Sequence, residues 1–278
     1  MFSRDEFARA PRDVSLTFEH VTAPQLIAFS ASCAAWFALQ FLVGRYCSSK
    51  HAKFWSTLDA RSRAEITVRA VTGCFGAVSS VWAFALLVMD GGRGGGSTMA
   101  RMFAPEGSVL RDSGETLFAM ACGYFVWDVV VSVIEYNNYG FALLVHACAS
   151  LAAFTVPQMM PKGFLYEFGA KFLLWEITAP FLGARTIMIK TKRTDGWGFR
   201  FVERAGFTLF FAVRFFHGLP AMATVIYDIR ALRARGLAKP VGVYNAYAAA
   251  AVLFPLMNCL WVYKMLRVLL RGKTKKSV

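Results

Sequence analysis

Tyr124, Asp128, Ser132 and Glu135 are spaced by four, four and three positions, which places two hydroxyls and two carboxylates on one face of a helix. Asp128 falls near the middle of an apolar stretch. The next apolar stretch carries His146 one turn before Ser150. In the one after that, Glu167 and Lys171 are spaced to pair at i,i+4, and Glu176 precedes Thr178 and the helix-perturbing Pro180. Farther on, Arg214 and His217 share a face with Phe207, Phe210 and Phe211, and Tyr247, Phe254, Asn258 and Trp261 form a stripe. Polar groups of this kind can simply tie helices together by hydrogen bonds. Asp128, His146 and Glu176, on three consecutive apolar segments, exceed what packing normally needs. A carboxylate beside a histidine in a dry cavity supports general acid–base chemistry, or holds a lipid headgroup. The candidate catalytic residues are His146 and Asp128. The candidate cavity or lipid-binding residues are Tyr124, Asp128, His146, Glu176, Arg214, His217 and Asn258.

The elements that must position these residues are membrane helices. Hydrophobic residues make up 56% of 278 positions, and the mean hydropathy is +0.45, too apolar for an ordinary soluble domain. Seven segments are long enough to cross a hydrocarbon core of about 30 Å: Val21–Gly44, Ala70–Met89, Thr116–Tyr136, Tyr136–Pro161, Gly163–Ile189, Ala205–Tyr227 and Val241–Tyr263. The expected fold is an all-α polytopic membrane protein. Lipid-exposed backbone must satisfy its own hydrogen bonds, and the alternating strands of a β-barrel are not visible. No cleavable signal core or transit peptide is apparent at the N-terminus, so the first membrane helix is expected to direct insertion. The six cysteines form no Cys-x-x-Cys pair and read as free thiols, giving no support to a metal or a disulfide.

A net charge of +14 in a soluble protein would suggest nucleic acid; here the basic residues flank membrane segments, where topology and anionic headgroups account for them, and no nucleic-acid partner is expected. Seven spans put eleven Lys and Arg residues beside the N-terminal tail and seventeen on the opposite side. The positive-inside rule therefore assigns the C-terminus to the cytosol and the N-terminus to the lumen. At the C-terminal end, Lys275 and Lys276 have the spacing of a dilysine retrieval signal, read by coat proteins on the endoplasmic reticulum. The Gly-rich run Asp90–Ser97 reads as the tip of a lumenal loop, with no Gly-Lys-Ser/Thr to make a phosphate cradle.

Tyr124-Phe-Val-Trp-Asp128, His146, Trp175-Glu-Ile-Thr-Ala-Pro-Phe181 and Asn258-Cys-Leu-Trp-Val-Tyr-Lys264, in this order and spacing, resemble the TLC domain. That domain is shared by ceramide synthases, the translocating-chain-associated protein and small lipid proteins of the endoplasmic reticulum. Basic Arg61–Arg69 before the second span fits the same pattern. The resemblance implies three parts: a tail and leading helix over 1–53, a TLC domain over 54–270 with six helices around a central cavity, and a basic tail over 271–278. Where ceramide synthases carry a His-His pair, this chain has Val145-His146, and their downstream His-Asp-x-x-Asp pattern is absent. The Glu176, Pro180 and Phe181 spacing is closest to small TLC proteins that are not ceramide synthases. The function implied is binding or handling of lipid acyl chains in membrane lipid homeostasis, with membrane lipids or fatty acyl chains and the coat retrieval machinery as partners and no cofactor. The alternatives are an acyl transferase using acyl-CoA, with His146 as base or nucleophile oriented by Asp128, and a chaperone or translocation-associated protein.

Overall fold

The computed structural model describes residues 15–90 and 97–274, with side chains through residue 267. Lys275 and Lys276 lie outside the described residues, as does most of the Gly-rich run. The protein is an all-α polytopic membrane protein. Seven helices are long and apolar enough to cross a membrane: Ala23–Lys50, Ala60–Met89, Val109–Ile134, Phe141–Gln158, Tyr166–Lys190, Trp197–Ala234 and Val241–Arg267. Among the described residues, extended pairing is confined to one isolated bridge, Phe103 to Phe164.

Local chemistry sets the helix ends. Thr22 opens the first span with a capping box: its hydroxyl accepts from the Gln25 N–H, the Gln25 side chain accepts from the Thr22 N–H at 2.5 Å, and Pro24 occupies the first turn. This helix continues beyond the expected Gly44 to Lys50, because Arg45 to Lys50 are helix-compatible and leave the apolar stretch without leaving the helix. The third span starts at Val109, earlier than expected, where Ser108 caps the Arg111 N–H.

The fifth span is broken near Pro180, where a perturbation was expected. Helix Tyr166–Leu173 passes into a 3-10 segment, Leu174–Thr178, and then into helix Ala179–Lys190, with Pro180 in its first turn. Proline has no N–H to donate to the preceding turn, so the helix tightens before it. The sixth span is longer than the expected Ala205–Tyr227 and contains a π-helical stretch, Ala212–His217, between helices Trp197–Phe211 and Gly218–Ala234.

Spans two to seven close a ring in the spatial order two, three, four, seven, six, five; the first span packs outside, against spans three and two. Close backbone approach seats the first span. A Cβ on Gly123 would lie 2.7 Å from Cys33 N, Phe29 O and Ser32 Cβ, so only glycine allows the contact. Ser32 then donates to the Met120 carbonyl at 2.8 Å, and Trp127 Nε1 to Gln40 Oε1 at 2.8 Å. Gly183 plays the same part between spans five and two, where a Cβ would meet Arg69 O at 2.8 Å.

Two apolar clusters complete the body. Trp36, Phe75, Phe118, Tyr124, Phe125 and Trp127 belong to one. The other gathers Met102, Phe164, Phe168, Trp175, Met222 and Tyr244. At the ring end that carries the 90–108 loop, short helix Thr98–Met102 is tied to the sixth span. Asp228, fully buried there, accepts from Thr98 Oγ1 at 2.8 Å, Arg101 Nε at 2.7 Å and Arg101 Nη2 at 2.5 Å.

Candidate functional site

The third span presents Tyr124, Asp128 and Ser132 to the inside of the ring, as their four-residue spacing requires. With Arg69 and Thr72 of span two, His146 of span four, Glu176 of the 3-10 turn, Arg214 of the π-helical stretch and Trp261 and Lys264 of span seven, they line a cavity of about 350 Å³. Tyr139, Ser132, Leu143, Lys264 and Met265 lie where spans meet the loops of residues 51–59, 135–140 and 191–196, so the cavity opens at that end of the ring. Glu176 and Arg214 lie near the middles of their spans and form its floor. A larger, shallow groove of about 520 Å³ runs outside the ring between spans one and two, lined by Phe37, Phe41, Arg45 and Trp55; it holds no acid–base pair.

Backbone irregularity aims two of the groups. The 3-10 turn places Glu176 in the cavity while Trp175, next in sequence, packs into the core. The π-helical stretch widens the turn that carries Arg214 and His217. Arg214 reaches the cavity with Phe210, whereas His217, expected on the same face, is not among the lining residues. The wider turn changes the angular step that ordinary helical spacing assumes.

Tyr124 is fixed by ring stacking. Its ring lies 3.5 Å from that of Phe75 at 3°, and Trp36 and Trp127 pack on its other sides. His146 is flanked edge-on by Trp261 at 5.2 Å and Phe254 at 6.1 Å. Its Nδ1 is buried without a hydrogen-bond partner among the described residues. Below His146 and Glu176 a void of about 30 Å³ is walled by Phe125, Ser150, Phe154, Phe172 and Phe254.

The charges of the cavity face one another without pairing. Asp128 feels Glu176 and Arg69, and Glu176 feels Arg214, yet none of these pairs closes to an ion pair within 4 Å among the described residues. Arg214 Nη1 donates to Asn258 Oδ1 at 2.9 Å, and three aromatic rings surround its guanidinium. Asn258 therefore stands behind Arg214 and not on the cavity wall. At the mouth, the Arg69 guanidinium lies 5.9 Å from the centre of the Tyr139 ring. Burial pushes the Tyr139 hydroxyl up to about 12, and Arg69 partly offsets this.

Glu135, which four- and three-residue spacing places on the Tyr124–Asp128 face, goes elsewhere. It caps the end of the third span and accepts from Asn138, because the helix stops at Ile134. Glu167 and Lys171 pair with each other away from the cavity, in the i,i+4 geometry expected. Sequence reasoning missed Arg69, Thr72, Tyr139 and Lys264 as lining residues. Arg69 and Lys264 border apolar runs, where topology alone accounts for a cation. The signal that could have found them is position: each lies on the end of a span that converges with Asp128 and His146.

The family model described as the TLC domain matches residues 65–267. An uncharacterized TLC domain-containing protein of Schizosaccharomyces pombe is 30% identical over 159 residues, covering 56% of this chain and 51% of its own length. The protein named topoisomerase I damage affected protein 4 of Saccharomyces cerevisiae is 26% identical over 157 residues, covering 54% of this chain and 53% of its own. The chain thus spans about half the length of these curated relatives. A ring of six spans around a charged cavity, matched by the family model over most of the sequence, makes this chain a member of the TLC domain family, membrane proteins linked to lipid metabolism.

Proposed function

We propose that the cavity binds the polar end of a membrane lipid, and that the protein handles lipid acyl chains in the homeostasis of the endoplasmic-reticulum membrane. One observation carries this reading: Asp128, Glu176, Arg69 and Arg214 share the wall of one cavity at membrane depth with no ion pair among them. Charges in hydrocarbon surroundings cost at least about 2.5 kcal/mol each on insertion scales, and they are retained where a pathway or ligand uses them. The apolar part of the cavity wall, with Phe125, Leu143, Leu182 and Met265, supplies surface for the start of an acyl chain. Acyl transfer is less well supported, because among the described residues no group meets His146 Nδ1 to orient the imidazole for base catalysis.

The address belongs to the same proposal and is supported by sequence alone. The excess of Lys and Arg on the side of the 51–59 and 191–196 loops favours a cytosolic C-terminus, and the Lys275–Lys276 spacing favours retrieval to the endoplasmic reticulum. On this reading the cavity opens to the cytosolic leaflet.

Lipid extraction and mass spectrometry of the purified full chain tests the function. A specific lipid should co-purify with the wild type and be depleted from Asp128→Ala and His146→Ala protein that is produced at normal level. A covalent acyl adduct on His146 would replace binding with transfer. A lipid profile identical to that of an unrelated membrane protein in the same detergent would overturn both.

A further inference from the structure

Arg214 is the most deeply buried cation of the cavity. It is 7% exposed near the middle of the sixth span. A guanidinium carries five N–H donors. Among the described residues, its one hydrogen bond runs from Nη1 to Asn258 Oδ1. Its faces are covered by Phe210, Trp261 and Trp175, with ring centres 4.9, 5.1 and 5.6 Å away. Aromatic faces attract the positive charge but accept little at the guanidinium edge. Arg214 Nε, Asn258 Nδ2 and Trp175 Nε1 are all buried without an acceptor. Arg214 therefore brings to the cavity floor more donors than its surroundings receive, with two more orphaned donors packed behind it, and a buried donor left without an acceptor costs free energy.

We propose that Arg214, held from behind by Asn258, forms an oxyanion subsite at the cavity floor, which takes the carboxylate or phosphate head of a lipid. This rests on the lipid-binding reading above and names the chemistry of the head. An oxyanion is all acceptor and complements a donor surplus; a neutral hydroxyl head brings a donor of its own. Arginine can meet two oxygens of either anion in two parallel bonds, which a lysine cannot do. Arg69 and Lys264 line the way in, so the cations of the cavity outnumber Asp128 and Glu176. Arg214 lines the cavity while its Nε is covered. The Nη edge is the donor edge left to the head, with Asn258 holding Nη1 from behind.

The test compares probes of one chain length on the purified full chain in nanodiscs: palmitate, hexadecyl phosphate and hexadecanol. Both oxyanion probes should bind about tenfold more tightly than hexadecanol, the difference expected for charge-assisted hydrogen bonds. The tighter of the two names the head. Arg214→Gln should abolish that preference and leave hexadecanol binding in place, and Arg214→Lys should keep part of it. Equal binding of all three probes to the wild type would overturn the subsite even if neither variant folds. A preference that survives Arg214→Gln would do the same. Displacement of hexadecyl phosphate by an equal concentration of inorganic phosphate would assign the subsite to a soluble anion and overturn its lipid-borne ligand. Failure of every probe to bind would instead remove the lipid reading on which the subsite rests.

Discussion

The cavity and the opposite end of the helical ring treat charge in opposite ways. At the end that carries the 90–108 loop, ionic groups are paired: Asp228 accepts from Thr98 and twice from Arg101, and Glu115 binds Lys162 at 3.0 Å while accepting from Gln25 at 2.6 Å. In the cavity, Asp128, Glu176, Arg69 and Arg214 share one wall and stay apart, although Lys190 pairs with Glu65 and Arg185 with Glu203 outside it at the same end. The same residue types therefore do different work. Closed pairs fix one element against another, whereas open charges leave their hydrogen-bonding capacity to something that enters. Burial alone does not separate the two regions, since Asp228 and Arg214 are both buried. Satisfaction does.

The strongest test of that contrast is Asp228→Ala. The substitution removes the acceptor of three hydrogen bonds at a fully buried site. Breaking a buried ion pair by deleting one partner costs about 3–5 kcal/mol. A large drop in melting temperature in detergent, together with exposure of the Thr98–Met102 helix to protease, is expected. A variant as stable as the wild type would show that closed pairs here are not structural.

Next in size is Gly123→Val. Three atoms of the first span lie 2.7 Å from the position of the new Cβ, and two of them are backbone. Overpacking of this kind costs about 1–3 kcal/mol. The first span should loosen from the third and the Trp127–Gln40 hydrogen bond should be lost, which thermal melting and indole fluorescence would report. Lipid retention should change little, because the cavity lies on the far side of the third span. A loss of lipid equal to the loss of stability would mean that the first span is part of the site.

Lys171→Ala should cost less, about 1 kcal/mol, since the pair with Glu167 is partly exposed and lies within one helix. It should act on melting temperature alone. A change in lipid content without a change in melting would place this pair in the ligand path.

The residues behind these contrasts were not equally legible in the sequence. Composition and run length revealed all seven spans, because a bilayer demands about twenty apolar residues wherever a helix crosses it. Four-residue spacing put Tyr124, Asp128 and Ser132 on one face, and that face does line the cavity. The same arithmetic failed for His217 and Glu135, because it assumes a regular helix that continues. The π-helical stretch breaks the first assumption, and the helix end at Ile134 breaks the second. Pro180 signalled an irregularity in the fifth span without revealing that a 3-10 turn would aim Glu176 inward. Arg69 was hidden for another reason. A cation beside an apolar run serves topology equally well, and only the folded ring shows that it also faces Asp128.

The smallest expected effect on stability is the one that separates the two regions most sharply. Asp128→Asn preserves shape and removes charge. Among the described residues Asp128 makes no ion pair and no hydrogen bond through its carboxylate, and the nearest charges it feels are Glu176, of like sign, and Arg69, of opposite sign. Neutralising it removes one repulsion and one attraction. The melting temperature should therefore change by no more than the equivalent of about 0.5 kcal/mol, the range of substitutions that break no specific contact. Co-purifying lipid should nevertheless fall severalfold, since the cavity loses half of its carboxylates. Melting and lipid content measured on the same preparation would decide. If Asp128→Asn destabilises the protein as Asp228→Ala does, Asp128 is a structural group and the open charges of the cavity are no guide to a ligand. If it leaves both quantities unchanged, the ligand is read by Arg214 and the opposite wall, and Asp128 serves only to balance Arg69.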